Sequence, residues 1–519
     1  MLRSFLTVST GTLASRLLGF ARDSLIAALL GTGVVADAFL VAFQLVNVVR
    51  RLLSEGALNA ALIPAWLRLR DTEGERSAAA FAGRVLGTIS VALLAASVVI
   101  GLLMPLILTV LAPGFVGQDN AHGFDALALA IQNARLMLPY LAFAGPVTVL
   151  MGLLNAQGRF ALTAFSPLLF NIALIIAIAA LLLWHIDASL SARALAATVG
   201  IAGLLQLLML LSRRSARLAT PLRVAFDKPM RTFFAKAIPG MIASSGPQWL
   251  MVAGAIIAST APSAVSWLYF ANRLIELPLG IVGVAMGAVL VPELTRTFGT
   301  GDRSAAAHAQ SRALELATGL ALPATLGLIA LAEPIVRLLF EHGAFTASDT
   351  TSTAQALVWL ALGLPAHVLI KALSPAFYAR SDTTTPLVAT AKGFVVAVVL
   401  AVLLNHFFGA SGIATGIACG AWSSALSLIR RGAIEFGFSI DGAARRRLPR
   451  IVLASLAMGG LLWLTTGLAP TGTHRLLALV VLGAQIAGGI AAYALALQLL
   501  GVASWREAVN AIKRPTRRA

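Results

Sequence analysis

Charged side chains lie inside stretches of this chain that are apolar enough to cross a bilayer. Nine of them are candidate ligand-binding residues: Arg16, Arg22, Asp23, Asp37, Arg50, Arg51, Glu55, Arg273 and Glu276. One arginine held at the bilayer centre costs about 2.5 to 3.5 kcal/mol on insertion scales. Four of these arginines would together cost about 10 to 14 kcal/mol if no water, partner or anionic ligand received them; the four are Arg16, Arg22, Arg50 and Arg273. The sequence therefore predicts a polar cavity within the membrane.

The charge balance of these residues indicates the kind of ligand. Five are arginines and four are carboxylates, which leaves an excess of one positive charge (5 − 4). A buried excess of cation points to a missing anion, and the planar guanidinium group suits phosphate oxygens. Interhelical ion pairs that only hold the helices together are the alternative interpretation of the same residues.

Composition indicates the solvent in which the chain folds. The 519 residues are 59% apolar and 12% charged, and the mean hydropathy is +0.88. These values are typical of an all-α polytopic membrane protein rather than a water-soluble domain. A cleaved signal peptide is disfavoured, because Arg16, Arg22 and Asp23 interrupt the first apolar run.

Several function classes are disfavoured by the residues present. Cys419 is the single cysteine, so an intramolecular disulfide and a CxxC site are excluded. The seven histidines are scattered, and we predict no metal site and no cofactor. The sequence has no GxxxxGKS/T phosphate loop, which predicts a transporter without its own ATPase. The net charge of +18 is dispersed over short loops, so we expect anionic membrane lipids as neighbours and no nucleic acid.

Windows of about 20 residues predict fourteen membrane spans. The predicted spans cover residues 5–30, 37–66, 82–111, 128–154, 162–184, 191–211, 233–258, 265–294, 313–339, 353–378, 385–404, 411–429, 450–467 and 476–500. Lys and Arg concentrate in the connections after even-numbered spans, and the connections after odd-numbered spans are nearly free of them. Because basic residues near span ends stay in the cytoplasm, both termini are predicted to be cytoplasmic.

Landmarks recur in the two halves of the chain and indicate a duplication. Pro64 and Pro292 are 228 residues apart (292 − 64), and Arg159 and Arg380 are 221 apart (380 − 159). This predicts two parallel six-helix lobes followed by two further helices, as in transporters built from parallel repeats. The alternative is that Pro and Arg simply recur at cytoplasmic helix ends. The predicted domains are an N-lobe at 1–215, a C-lobe at 216–440, and spans 13 and 14 with a basic cytoplasmic tail at 441–519.

Ordered motifs run through the whole chain. They are SRLLGFARD at 15–23, ADAF at 36–39, NVVRRLLSEGA at 47–57, NAQGRF at 155–160, WLYFANRLIELP at 267–278, FT at 345–346 and FYAR at 377–380. Together they resemble the MurJ (MviN) family of lipid II flippases in the MOP exporter superfamily.

The resemblance implies a function in cell wall biosynthesis and cell shape. Such a flippase moves lipid II, the undecaprenyl-pyrophosphate-linked disaccharide-peptide precursor of peptidoglycan, from the cytoplasmic to the periplasmic leaflet of the bacterial inner membrane. An arginine-rich cavity between the lobes receives the headgroup, and spans 13 and 14 help to form a groove for the lipid tail. Carried over by position, Arg22, Asp23 and Arg273 form the inner headgroup cluster. Lipid II and other cell-wall synthesis proteins are the implied partners.

The chain also departs from some relatives. Gln44 stands where some have Lys, and Val46 stands where some have Pro. The sodium site of some relatives uses carboxylates on spans 7 and 11; these spans have none here, and span 11 carries Lys392. Sodium coupling is therefore disfavoured, whereas coupling to another monovalent ion stays open.

Alternating access driven by the membrane potential is the mechanism we expect. Three other functions stay open at this point: a MATE-like antiporter of organic cations, a flippase for O-antigen or teichoic-acid lipids, and a scaffolding membrane protein without transport. An arginine-rich cavity and only four tyrosines in the chain argue against the first of these.

Overall fold

A computed structural model describes most of the chain as α-helices. The described residues are 2–54, 57–116, 125–211, 217–244, 246–299, 303–378, 380, 382–436, 441–467 and 475–502. In chain order the helices within these ranges are α1 (Leu2–Leu30), α2 (Val34–Ser54), α3 (Ala57–Glu73), α4 (Glu75–Leu111), α5 (Ala126–Met137), α6 (Pro139–Ala156), α7 (Phe160–Leu183), α8 (Ala188–Leu210), α9 (Lys228–Ser244), α10 (Gly246–Ala258), α11 (Ala264–Gly299), α12 (Arg303–Ala330), α13 (Ala332–Phe340), α14 (Ala347–Ala361), α15 (Leu364–Tyr378), α16 (Thr384–Phe436), α17 (Gly442–Thr466) and α18 (Arg475–Leu499). No β-strand occurs among them, which confirms the all-α fold class.

The helices fall where the membrane spans are predicted. Each predicted span coincides with one helix, with a pair of consecutive helices, or with one half of α16. Within the described ranges, nine helical segments are long and apolar enough to cross a membrane. Neither α1 nor α2 is among these nine, and each carries at least three charged residues, among them Arg22 and Asp23 on α1 and Asp37 and Arg50 on α2. The chain is thus a multi-pass membrane protein, and the count of fourteen stays a prediction.

The chain divides into two compact units. Unit 1 contains Met1–Ser266 and His342–Thr346, and unit 2 contains Trp267–Glu341 and Ala347–Ala519. Helices α9 and α10 pack with unit 1, although the predicted C-lobe begins before them. Lobes are defined by membrane topology and repeat symmetry, which packing alone does not test, so the predicted lobe boundaries stay a prediction.

Unit 1 has an apolar core built mainly by four helices. Leu62 and Trp66 of α3, Phe81 of α4, Leu150 of α6 and Phe233 of α9 are all buried in one cluster. Helix α1 packs along α7, and α2 packs along α5. These contacts hold the charged helices α1 and α2 against apolar partners inside one unit.

In unit 2, α12 packs along α17, and α15 packs along α16. Leu373 and Phe377 of α15 form a buried cluster with Leu428 of α16. Leu331 lies in a second buried cluster with Met458 and Leu462 of α17. The last two helices therefore belong to the packing of unit 2.

The 53-residue helix α16 is a hairpin that turns at Gly409, where φ is +52° and ψ is −133°. A Cβ on Gly416 would lie 2.5 Å from the Ala401 nitrogen, and one on Gly420 would lie 2.5 Å from the Ala397 Cβ. The two halves are therefore antiparallel and touch along a glycine seam. Each half spans about 37 Å at 1.5 Å per residue, enough for a 30 Å hydrocarbon core. The turn coincides with the predicted connection at 405–410.

Turns are also present in other connections between the predicted spans. Gly31 and Gly33 have φ of +63° and +118°, and Gly158 has φ of +74°. These left-handed conformations favour glycine and end α1 and α6. Residues Pro113–Phe115 form a short 3-10 turn after α4. Residues 469–472, in the connection between predicted spans 13 and 14, lie outside the described residues.

Candidate functional site

Arg22 and Asp23 are neighbours on α1, and both are buried in unit 1. Arg22 is 7% exposed and Asp23 is fully buried. The Nε and Nη2 atoms of Arg22 donate to Oδ1 of Asp23 over 2.9 and 2.6 Å. One carboxylate oxygen therefore receives two of the five N–H groups of the guanidinium. The pair lies within one helix, so it does not join α1 to another element.

Asn171 of α7 receives a third N–H group of Arg22. The Nη1 atom of Arg22 donates to the Oδ1 of Asn171 over 2.9 Å. The Nδ2 atom of Asn171 donates in turn to the main-chain oxygens of Ser15, at 3.1 Å, and Pro167, at 3.3 Å. Three of the five guanidinium N–H groups thus have partners, and two have none among the described residues.

Two aromatic rings flank the guanidinium group. The Cζ atom of Arg22 lies 5.2 Å from the ring centroid of Phe43 on α2 and 5.8 Å from that of Phe170 on α7. Both distances fall within the 6 Å range of a cation–π contact. The arginine is therefore held between α2 and α7 by ring faces as well as hydrogen bonds.

Phe170 packs against Tyr140, whose hydroxyl group belongs to a series of hydrogen bonds. The Tyr140 ring meets the Phe170 ring edge to face, with centroids 5.4 Å apart. The hydroxyl group of Tyr140 donates to Oε1 of Gln206 over 3.5 Å, and Nε2 of Gln206 donates to the Ser166 main-chain oxygen over 2.9 Å. Helices α6, α7 and α8 are thus linked behind the site.

Asn171, Phe43 and Phe170 are site residues that the sequence reasoning missed. An asparagine in an apolar span is a signal that could have identified Asn171, since an amide in the membrane needs partners. The two phenylalanines carry no such signal, because aromatic residues are common on buried helix faces.

Asp37 on α2 is also buried, and its carboxylate has protein partners. Its Oδ1 accepts from the main-chain N–H of Ser266 over 2.9 Å and from the hydroxyl group of Ser266. Ser266 lies in the first turn of α11, where main-chain N–H groups have no partner inside the helix. In this geometry Asp37 links α2 to the start of α11.

The remaining arginines of unit 1 differ in their surroundings. Arg16 is exposed and has no hydrogen bond or ion pair with a described residue. The Nε atom of half-buried Arg50 donates to Oδ1 of Asn47 over 3.2 Å on the same helix. Arg51 is half-buried. Glu55 lies outside the described residues.

Arg273 and Glu276 form an ion pair on α11 in unit 2. The Nη1 atom of Arg273 lies 2.8 Å from Oε2 of Glu276, and the two side chains are 20% and 26% exposed. This pair, like that of Arg22 and Asp23, lies within one helix.

The described side chains form no cluster of three or more His, Cys, Asp or Glu suited to a metal ion. Lys392, on which the argument against sodium depends, is exposed on α16. The chemistry available in unit 1 is that of a buried guanidinium group, two of whose N–H groups have no partner in the described part of the chain. A guanidinium group binds phosphate oxygens through charge-assisted hydrogen bonds, and no covalent step is involved.

Comparison with known proteins agrees with this chemistry. The family model described as "Lipid II flippase MurJ" matches residues 26–482. The probable lipid II flippase MurJ of Rhizobium tropici is 37% identical over 512 residues, covering 96% of this chain and 94% of the relative. That of Rhizobium meliloti is 36% identical, covering 99% and 96%. The lipid II flippase MurJ of Burkholderia cenocepacia is 33% identical, covering 82% and 83%.

Solved structures share the fold. A lipid II flippase MurJ in an inward closed conformation matches with a TM-score of 0.78 at 22% identity, covering 97% of this chain and all of that one. An inward-facing multidrug transporter of the MATE family matches with a TM-score of 0.65 at 15% identity, covering 86% and 98%. The motifs, the buried arginine of unit 1 and the matches over nearly the whole length lead to one conclusion: the chain belongs to the MurJ family of lipid II flippases.

Proposed function

We propose that this protein moves lipid II from the cytoplasmic to the periplasmic leaflet of the bacterial inner membrane. The observation that carries the proposal is the buried Arg22: Asp23 and Asn171 bind three of its guanidinium N–H groups, and the other two have no partner among the residues that the structure describes. A diphosphate offers oxygens that match such donors. The relatives named for this activity cover nearly the whole chain.

The proposed headgroup residues are those identified by sequence. Arg22 and Asp23 in unit 1 and Arg273 in unit 2 are proposed as the inner cluster. The other proposed contributors are Arg16, Asp37, Arg50, Arg51, Glu55 and Glu276. Arg50 and Arg273 are both half-buried, which supports this assignment. A charged side chain in a membrane helix usually faces a polar site, because its exposure to lipid is costly.

The proposed topology has fourteen membrane crossings in two six-helix lobes and two further helices, with both termini in the cytoplasm. The supporting observations are the helices at every predicted span and the basic residues in the even-numbered connections. Anionic lipids are proposed to contact those basic connections, and other cell-wall synthesis proteins are proposed partners.

We propose that the membrane potential drives the cycle and that the protein has no ATPase of its own. Transfer of one charge through the membrane field changes the free energy by about 2.3 kcal/mol per 100 mV. The diphosphate carries about two negative charges, so an inside-negative potential would favour outward movement by about 4 to 5 kcal/mol. The same field would return the empty cationic site inward. Alternating access avoids an open pore that would leak ions.

Two experiments test this function. Depletion of the protein in cells should cause lipid II to accumulate in the cytoplasmic leaflet; accumulation in the periplasmic leaflet would contradict the proposal. In proteoliposomes, net flipping should fall when an ionophore clamps the potential to zero, and replacement of sodium by choline should leave it unchanged. Undiminished net flipping at zero potential would refute the proposed driving force.

Charge reversal tests the site. Arg273→Glu should abolish complementation of a depleted strain, because it replaces a cation for the diphosphate by an anion. Arg446→Glu is the matched control, since Arg446 is exposed on α17 at the predicted cytoplasmic side. Equal tolerance of the two substitutions would contradict the assignment of Arg273.

A further inference from the structure

The amide of Asn171 can have only one orientation in its surroundings. Two main-chain oxygens, from Ser15 and Pro167, face its Nδ2, and a guanidinium faces its Oδ1. Rotating the amide by 180° would place its N–H groups against the N–H groups of Arg22 and its oxygen against two oxygens. The main chain of α1 and α7 therefore fixes a neutral acceptor that points at Arg22.

That acceptor completes the alignment of the arginine. Asp23 alone binds the Nε and Nη2 edge of the guanidinium through one oxygen, which leaves the plane of the group free to turn about that contact. The bond from Nη1 to Asn171 adds a second fixed point 149 residues away in sequence. The rings of Phe43 and Phe170 limit tilting. The direction of the two remaining N–H groups is thereby set before any ligand binds.

The neutrality of Asn171 matters as much as its position. Asp23 already supplies one negative charge to Arg22, and a carboxylate at residue 171 would supply a second. An arginine between two carboxylates would attract a diphosphate less strongly than one paired with a single carboxylate. An amide supplies the hydrogen bond without the charge.

We propose that Asn171 is a positioning residue for Arg22, which aligns the guanidinium so that its two remaining N–H groups receive the diphosphate of the substrate. This inference rests on the proposed function and adds to it a residue outside the set of charged side chains. Asn171 acts through Arg22 and does not itself contact the ligand.

The variant Asn171→Thr keeps one of the three hydrogen bonds that the amide makes. A threonine hydroxyl in a helix commonly donates to the main-chain oxygen four residues earlier, which here is that of Pro167. The acceptor for Arg22 is lost, and so is the donor to the Ser15 oxygen, because the shorter side chain does not extend toward either. Asn171→Ala is the second variant, and it removes all three bonds. Thr163→Val is the matched control on the same helix, because it removes a part-buried bond to Asn155 at 2.7 Å that does not involve Arg22.

The experiment measures binding of lipid II to the purified full-length protein and flipping in proteoliposomes, with melting temperature as the test of folding. Asn171→Thr should weaken binding about 10-fold, and Arg22→Ala should weaken it about 100-fold, as expected for loss of one and of several charge-assisted bonds. The double variant should bind no more weakly than Arg22→Ala alone, because Asn171 has no effect without the arginine. Thr163→Val should bind like the wild type.

The outcomes distinguish this inference from the proposed function. If the two single effects multiply to about 1,000-fold in the double variant, Asn171 acts independently of Arg22 and the positioning role is wrong. Wild-type affinity in the folded Asn171→Thr protein would also refute it. If the wild type neither binds nor flips lipid II, the proposed function itself fails. If Asn171→Thr does not fold, Asn171→Ala is combined with Arg22→Ala instead, and the affinities of the single and double variants are compared in the same way. Loss of folding in both Asn171 variants would refute a positioning role in favour of a structural one.

Discussion

The carboxylate of Asp37 accepts hydrogen bonds from both the main-chain N–H and the hydroxyl group of Ser266, and so connects α2 with the first turn of α11. Both residues are buried. The sequence assigned Asp37 to substrate binding, and its geometry gives it a second role in holding the helices.

That role predicts a loss of stability in Asp37→Ala. Removing a buried charged acceptor should lower the free energy of unfolding by about 2 to 3 kcal/mol, whereas Ser266→Ala, which keeps the main-chain bond, should lower it by about 1 kcal/mol. The unfolding midpoint in detergent measures both. Asp71→Ala is the control, because its pair with Arg70 is exposed and contributes little. An Asp37→Ala protein with unchanged midpoint but weaker lipid II binding would assign Asp37 to the ligand alone.

The two halves of α16 touch along the glycine seam, so a methyl group added there should destabilise the protein. In Gly416→Ala the new methyl group would lie 2.5 Å from the Ala401 nitrogen, a main-chain atom that cannot move aside. We expect destabilisation by about 1 to 3 kcal/mol, the usual range for overpacking. Gly460→Ala on α17 is the matched control, since nothing lies within 4 Å of its Cβ position. It should leave stability unchanged or raise it by up to about 1 kcal/mol. Similar unfolding midpoints for both variants would disprove the close approach of the two halves.

The segment before α9 lies against α4 and predicts a change in protease sensitivity. A Cβ on Gly83 would collide with the main-chain oxygen of Pro221, and Arg84 bonds Asp227 over 2.6 Å nearby. Gly83→Ala should therefore loosen the segment and speed tryptic cleavage after Arg223 several-fold. Gly101→Ala on the same helix is the control, because its methyl group would meet only the tip of a leucine side chain, at 3.1 Å. Equal cleavage rates would mean that the segment is not held by this contact.

The start of α16 predicts a pH dependence of stability. Asp382 accepts hydrogen bonds from the main-chain N–H groups of Thr385 and Thr384 at 3.0 Å each. These bonds, first that of Thr385, lower the pKa of the Asp382 carboxyl group below its ordinary value of 3.8. Because the pKa is lower in the folded state, the stabilisation is complete above the ordinary value and is lost as the pH falls through the lowered one.

Asp382→Ala should accordingly lower the free energy of unfolding by about 1 kcal/mol at pH 7, as loss of a helix-start acceptor does. The difference from the wild type should shrink when the pH is lowered below 3.8. Unfolding midpoints at a series of pH values measure it, with Asp71→Ala as the control. A difference that does not change with pH would contradict the assigned bonds.

The sequence by itself determined the class of fold and the chemistry of the ligand. Long apolar stretches leave the backbone no stable alternative to helices in a membrane, so helix positions follow from composition. The connections between the predicted spans contain Gly31, Gly33, Gly158 and Gly409, which adopt backbone angles that other residues avoid. Charged residues in apolar spans indicated a polar site, since they would otherwise be too costly to insert.

Only the tertiary structure decided which partners these charged residues have. The order of residues on α1 allowed Arg22 to pair with Asp23 or with another helix, and the packing of α1 along α7 brought Asn171 to the guanidinium from 149 residues away. The packing of α2 likewise placed Asp37 against Ser266, and the packing of α1 left Arg16 exposed. Periodicity specifies which side of a helix is polar, but the partner on that side depends on which helices pack together, and that depends on the fit of many apolar side chains at once.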